Sequence, residues 1–198
     1  MSRAWPVGDI DPRAPVLDNA RRVLAIRIAE FYSYEPIVPH PELSEALHDL
    51  RISAKRLRYT LELFRPQFGK AGDRQIQRVK AIQEALGTLH DHDVRIELIG
   101  DELSRFMVEQ SQVTRLEIAN ATPEEVALIS TTALRPPPDD PRRGLIALLG
   151  REHKGRREAY ARFRQLWDQY TEDGMRRDLV GLSTMPLPRR RRSQPSTT

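Results

Sequence analysis

Residues 43–64 read LSEALHDLRISAKRLRYTLELF, and this stretch decides the fold class of the chain. At about 100° per residue, its apolar side chains project within one arc of roughly 100°. They are Leu43, Leu47, Leu50, Ala54, Leu57, Leu61 and Phe64. A stripe of this width is typical of a helix that packs one face against a core. We therefore predict a helix over about residues 41–66, with Pro41 in its first turn and Pro66 at its end.

A second stripe on the same helix is basic, and we call it the basic cluster. Its members His48, Arg51, Lys55 and Arg58 project within a neighbouring arc of roughly 80°. Like charges at this spacing repel each other, so a helix selected only for stability would intersperse acids. Arginine forks match phosphate oxygens bidentately, and lysine adds a mobile point charge. The cluster, about 15 Å long, predicts a surface for a run of phosphates; the alternative is an ordinary solvated charged face.

Helical periodicity extends through most of the chain, and no stretch alternates with the period of two that indicates a strand. We predict further helices over about residues 14–34, 72–116 (one long helix or two shorter ones), 122–134, 141–172 and 173–183. The helix over 14–34 has Leu17, Ala20, Leu24, Ile28 and Phe31 as its apolar seam. In the short helix over 122–134, Thr122 is the expected N-cap. The predicted fold is all-α, an antiparallel helical bundle. It divides into an N-terminal extension (1–13), a helical domain (14–183) and a disordered basic tail (184–198).

Composition and charge restrict the function classes. The chain of 198 residues has no cysteine, which excludes disulfides, thiolate metal sites and cysteine nucleophiles. No apolar run approaches the roughly 18 residues of a membrane span, and the first residues lack the pattern of a signal peptide; we expect a cytoplasmic protein. The formal net charge of +4 equals the charge of Arg189 to Arg192 alone. Affinity of the remaining chain for polyanions must therefore come from clustering, whereas the tail adds non-specific attraction to nucleic acids.

Residues 79–94, VKAIQEALGTLHDHDV, contain a second constellation. Lys80, Gly87 and Asp91 share one line of the helix, apart from its apolar side. Because a glycine within a helix costs up to about 1 kcal/mol relative to alanine, we expect Gly87 to allow close approach of a helix or a ligand. Asp91 is interpreted as an orienting partner for an arginine or lysine; the alternative is an ordinary surface or capping aspartate.

Three further features are candidates for function. Arg156 lies on the apolar stripe of its helix, so it must pair with an acid, reach the surface or line a polar channel, and we favour the pairing. Arg21 and Arg22 could extend the basic surface. His90 and His92, within His-Asp-His-Asp, suggest a metal site, but they project about 200° apart on a regular helix. We therefore predict no metal site.

The two motifs together resemble the CHAD domain, the conserved histidine α-helical domain. HDLRISAKRLRYTLELF matches its signature at His48, Arg51, Lys55, Arg56 and Arg58, and the second element is matched at Leu86, Gly87, Asp91, Asp93 and Val94. The resemblance covers residues 14–100 best. It implies a helical domain that binds inorganic polyphosphate through those five signature residues, often beside triphosphate-processing enzymes or polyphosphate granules. Lys80, Arg22 and Arg156 are added here as candidate contacts.

Two departures from the family pattern affect this prediction. His90 stands where arginine is common, and the chain has one copy of the basic motif where family members usually have two. A homodimer that supplies the missing face is therefore a hypothesis. No glycine-rich phosphate loop, nucleophile elbow or paired catalytic carboxylates are present. We expect a non-enzymatic polyphosphate-binding protein without cofactor; the alternatives are a nucleic-acid-binding protein and, less favoured, an HD-type metal-dependent phosphohydrolase.

Overall fold

The computed structural model describes residues 3–134 and 140–184, and in these residues it contains helices and no strand. The helices are α1 (Val16–Tyr32), α2 (Ser44–Leu63), α3 (Arg65–Ala119), α4 (Pro123–Leu134), α5 (Pro141–Glu172) and α6 (Met175–Thr184), with a 3-10 turn at Glu35–Ile37. The all-α prediction is confirmed. The arginine-rich segment of the predicted tail lies outside the described residues.

The observed boundaries correct both predicted ends of α2 and the predicted start of α3. Helix α2 begins at Ser44 rather than near residue 41, and Pro66 lies in the first turn of α3 instead of ending α2. A proline suits a first turn because the N–H that it lacks has no partner there. Helix α3 begins seven residues before the predicted start and is kinked at Gly69, whose φ of 53° favours glycine.

Helices α4 and α5 start where the sequence predicts. Thr122 and Glu125 form a capping box before α4: the Glu125 N–H donates to Thr122 Oγ1 (3.4 Å), and the Thr122 N–H donates to Glu125 Oε2 (2.8 Å). Such a box satisfies two N–H groups that the start of a helix leaves without partners. Local sequence therefore accounts for the start of α4.

The chain forms two compact units, and the first contains the described residues up to Leu86 and from Phe163 onward. In this unit α1 packs against α2 and α6. The five predicted seam residues of α1 are all buried, and Phe31 lies against Trp167 with ring centroids 5.4 Å apart. The predicted stripe of α2 is buried from Leu47 to Leu61. The two ends of the stripe are less buried: Leu43, which precedes the helix, has 41 % of its surface exposed, and Phe64, which follows the helix, is half-buried.

The second unit contains the described residues between Gly87 and Arg162. Among them the core is thin, since the buried apolar side chains are Leu89 and Ala159. Ion pairs between α3 and α5 supplement this core, notably Arg156 with Asp93. The limits of one helical domain over residues 14–183 remain a prediction.

Candidate anion-binding site

Burial of one face of α2 sets the position of the basic cluster. Leu50, Ala54 and Leu57 are fully buried in the first unit, which fixes the rotation of the helix. The cluster therefore lies along the flank of the buried face: His48, Arg51 and Arg58 are half-buried, and Lys55 is exposed. The predicted stripe is thus a continuous feature of α2 at the edge of the core.

Arg51 differs from the other half-buried arginines of the described residues. Eight of these form an ion pair with an aspartate or glutamate, namely Arg21, Arg27, Arg56, Arg58, Arg78, Arg142, Arg156 and Arg164. Arg51 forms no ion pair with a described residue, and its Nε atom is buried without a hydrogen-bond partner there. A buried polar group without a partner costs about 1–3 kcal/mol. An anion from outside the chain would offset this cost only if the side chain turned to bring Nε to the surface.

Tyr59 brings two members of the cluster together. Lys55 Nζ lies 5.7 Å from the centroid of its ring, and Arg58 Cζ lies 4.8 Å from it. Both distances are within the range of cation–π attraction. The ring is half exposed, so the two cations are held next to solvent, where an anion can reach them.

Arg58 connects α2 to α3 within the first unit. Its Nε donates a hydrogen bond of 2.9 Å to Gln83 Oε1, and its Nη1 lies 3.1 Å from Glu62 Oε1. Lys80 precedes Gln83 by one helical turn, is exposed, and lies 3.7 Å from Glu84. The structure therefore places the predicted candidate Lys80 on the segment of α3 that contacts the cluster.

Arg56 points to a different partner. Its Nη1 lies 2.6 Å from Glu30 Oε1, and Arg27 Nη1 lies 2.6 Å from Glu30 Oε2. Only 1 % of the Glu30 side chain is exposed. A buried carboxylate needs such partners, because removing one leaves an uncompensated charge. Arg56 therefore has a structural role, and ligand contact by Arg56 would require competition with Glu30.

The candidates on α1 are both engaged locally. Arg21 Nη1 lies 3.4 Å from Asp18, on the same helix, while Nε and Nη2 of Arg21 are buried without a hydrogen-bond partner among the described residues. Arg22 is exposed, and its guanidinium donates to the backbone carbonyl of Asp9. The structure shows no contact of either side chain with the basic cluster among the described residues, so extension of the basic surface by α1 remains a prediction.

The remaining candidates belong to the second unit. Arg156 pairs with Asp93, which confirms the favoured interpretation of that arginine. Asp91 is exposed and forms no ion pair within the described residues, so the acid that holds an arginine is Asp93, two residues later. Gly87 is half-buried. A contribution of these three candidates to ligand binding remains a prediction.

The His-Asp-His-Asp segment has a structural contact that the sequence did not reveal. His92 Nδ1 lies 2.7 Å from Glu152 Oε2, which also contacts Arg95 at 3.2 Å. The hydrogen bond with His92, helped by the charge of Arg95 and opposed by desolvation, lowers the pKa of Glu152. Within residues 3–134 and 140–184, no three His, Asp or Glu side chains are grouped so that they could hold a metal ion.

Two residues beside the cluster, Tyr59 and Gln83, were missed by sequence reasoning. A signal for Tyr59 exists, because it follows Lys55 by four residues and such pairs face each other on a helix. No signal exists for Gln83, whose contact with Arg58 joins side chains 25 residues apart. In the described part of the chain, no helix is long and apolar enough to cross a membrane.

Comparison with known proteins identifies one family. The family model described as the CHAD domain matches residues 3–100, a segment that contains α1, α2 and the part of α3 that contacts the cluster. No curated protein and no solved structure matches the chain. Through residues 3–100, the chain belongs to the CHAD domain family.

Proposed function

We propose that this protein binds inorganic polyphosphate without catalysis, through the basic cluster of α2. Arg51 carries the proposal, since it is the half-buried arginine that lacks a carboxylate partner among the described residues. A fold gains no stability from leaving a buried guanidinium N–H without a partner. A phosphate oxygen would supply the missing acceptor in a charge-assisted hydrogen bond once the side chain turns Nε towards the ligand.

The cluster suits a chain of phosphates better than a single one. Arg51, Lys55 and Arg58 follow one another at intervals of four and three residues, so α2 offers one cation per turn, about every 5 Å. The exposed Lys80 on α3 adds a further positive group beside Gln83, the residue that Arg58 contacts. Binding by several such contacts releases condensed counterions. By analogy with nucleic acids, we expect the affinity to fall steeply with salt concentration.

The main competing function is nucleic-acid binding, which the sequence Arg189 to Arg192 favours. A run of arginines binds any polyanion without selecting a sequence or a phosphate type. If this function were the correct one, affinity would depend on the tail and not on α2. The two functions therefore differ in the part of the chain that binds.

The cellular setting follows from the proposed ligand. We propose a cytoplasmic protein that associates with polyphosphate granules or with a polyphosphate- or triphosphate-processing enzyme. A homodimer would supply a second basic surface for long chains. Sedimentation of the protein with and without long-chain polyphosphate tests this last point, because tight binding by a strictly monomeric species argues against the dimer.

A calorimetric competition experiment tests the proposed function. The full chain is titrated with long-chain polyphosphate, duplex DNA and RNA, as wild type and with Arg189 to Arg192 replaced by glutamine. The test variant is Arg51→Ala/Lys55→Ala/Arg58→Ala. The matched control is Arg151→Ala/Lys154→Ala/Arg157→Ala, which removes the same charge from exposed positions of α5.

Two results decide between the functions. Loss of polyphosphate binding in the α2 variant, with affinity retained in the α5 control and in the tail variant, supports the proposal. Equal weak binding of all three polyanions, or loss of binding in the tail variant alone, refutes it and assigns the basic character to the tail.

A further inference from the structure

Arg58 is held in place from three sides in the described structure. Its Cζ lies over the Tyr59 ring, its Nε donates to Gln83, and its Nη1 pairs with Glu62. Tyr59 and Gln83 are neutral, so they orient the guanidinium without neutralising it. Glu62 is an acid and occupies one of the donors that a phosphate would use.

The two kinds of contact have different consequences for binding. A guanidinium that is already oriented loses less conformational entropy when it binds an anion. A carboxylate on the same guanidinium must be displaced first, which lowers the affinity for any anion. Glu62 is 39 % exposed and lies one helical turn beyond Arg58, so it can swing into solvent without disturbing the core.

We infer that Tyr59 and Gln83 are positioning residues of the phosphate site, and that Glu62 is an internal competitor which the ligand displaces from Arg58. This inference rests on the proposed function. It also narrows the ligand class. A single anionic group gains little at Arg58, because Glu62 already supplies one, whereas a phosphate chain that contacts Arg51, Lys55 and Arg58 together can displace Glu62. Polyphosphate should therefore bind more tightly than inorganic phosphate at equal phosphate concentration, because one phosphate cannot contact the three cations together.

The expected effects differ in sign among the three residues. Glu62→Gln should raise the affinity for polyphosphate about two- to fivefold, the range for an exposed ion pair. Gln83→Ala should lower it about three- to tenfold, the range for one hydrogen bond. Tyr59→Leu should lower it by a similar factor, while Tyr59→Phe, which keeps the aromatic ring, should bind as the wild type does.

Matched controls separate positioning from general charge or folding effects. Glu45→Gln removes the same charge from an exposed site in the first turn of α2, and it should change the affinity less than Glu62→Gln does. In an Arg58→Ala background, Gln83→Ala should cause no further loss, because a positioning residue acts through the group that it positions. A merely structural role of Gln83 would lower affinity equally in both backgrounds.

The titration, made by calorimetry on the full chain with long-chain polyphosphate and with inorganic phosphate, distinguishes two kinds of failure. Absence of polyphosphate binding by the wild type overturns the proposed function and this inference together. Binding that Arg58→Ala weakens but that Tyr59→Leu, Gln83→Ala and Glu62→Gln leave unchanged overturns the inference alone. Additive losses in the double variant also overturn it, as does equal affinity per phosphate for the two ligands.

Discussion

Replacement of Arg51 by methionine should stabilise the protein while it weakens polyphosphate binding. Methionine retains an unbranched side chain with a similar helix propensity, and it removes the buried Nε that lacks a partner among the described residues. Arg56→Met is the matched control: it lies on the same helix and removes the same charge, but it takes a hydrogen bond from the buried Glu30. The two substitutions should therefore change stability in opposite directions.

The magnitudes follow from the contacts of each guanidinium. Relief of one buried N–H without a partner should raise the free energy of unfolding of Arg51→Met by about 1 kcal/mol. Arg56→Met should lower it by about 2–3 kcal/mol, less than complete loss of a buried pair, because Arg27 still contacts Glu30. At roughly 2–4 °C per kcal/mol for a chain of this size, Tm should rise by a few degrees in the first variant and fall by about 4–12 °C in the second.

Binding should show a different pattern from stability. Arg51→Met should lose about ten- to a hundredfold in polyphosphate affinity, the range for a hydrogen bond to a charged group. Arg56→Met should bind nearly as the wild type does. Urea titrations followed by tryptophan fluorescence measure stability, since Trp167 is buried against Phe31 in the first unit, and calorimetry measures binding. If Arg51→Met is destabilised as much as Arg56→Met, then Arg51 contributes to the fold and the reasoning from its missing partner is wrong.

Three further predictions concern the second unit. Thr122→Ala should remove the capping box and destabilise α4 by about 1 kcal/mol, visible as faster amide hydrogen exchange confined to that helix; an unchanged rate argues against the cap. Gly155→Ala should destabilise the unit, because a Cβ at that position would lie 2.4 Å from His92 Cε1. The control Gly150→Ala places its Cβ where no atom lies within 4 Å, so it should stabilise α5 by up to about 1 kcal/mol. Equal melting temperatures of the two variants would contradict this prediction. The contact with His92 lowers the pKa of Glu152, so ionised Glu152 stabilises the folded unit. This stabilisation is complete at a pH above the ordinary titration range of glutamate, and it is lost as the pH falls through that range towards the lowered pKa. Proteolysis of α5 as a function of pH should show this loss in the wild type and a weaker dependence in His92→Gln.

The contrast between Arg51 and Arg56 illustrates how stability and binding are divided along one helix. Both residues lie on α2, within the segment that the family model matches, and their chemistry is identical. The fold uses Arg56 to neutralise Glu30, and it leaves Arg51 without a carboxylate among the described residues. Sites that bind ligands commonly lower the stability of the ligand-free fold in this way.

The sequence by itself determined the helical class and most of the core. The apolar period of 3.6 residues identified the buried faces of α1 and α2, because burial follows directly from which side of a helix is apolar. It also placed His48, Arg51, Lys55 and Arg58 on one stripe, since residues three or four apart are neighbours on any helix. The start of α4 at Thr122 followed from local capping chemistry.

Tertiary structure decided which of the cations have partners. Arg56 and Glu30 are 26 residues apart, Arg58 and Gln83 are 25 apart, and Arg156 and Asp93 are 63 apart. The period of one helix contains no information about which side chains of another helix lie opposite. Whether an arginine neutralises a buried acid or stays available for a ligand therefore depends on how the helices pack. Only the folded structure shows that Arg56 pairs with Glu30 and that Arg51 has no carboxylate partner among the described residues.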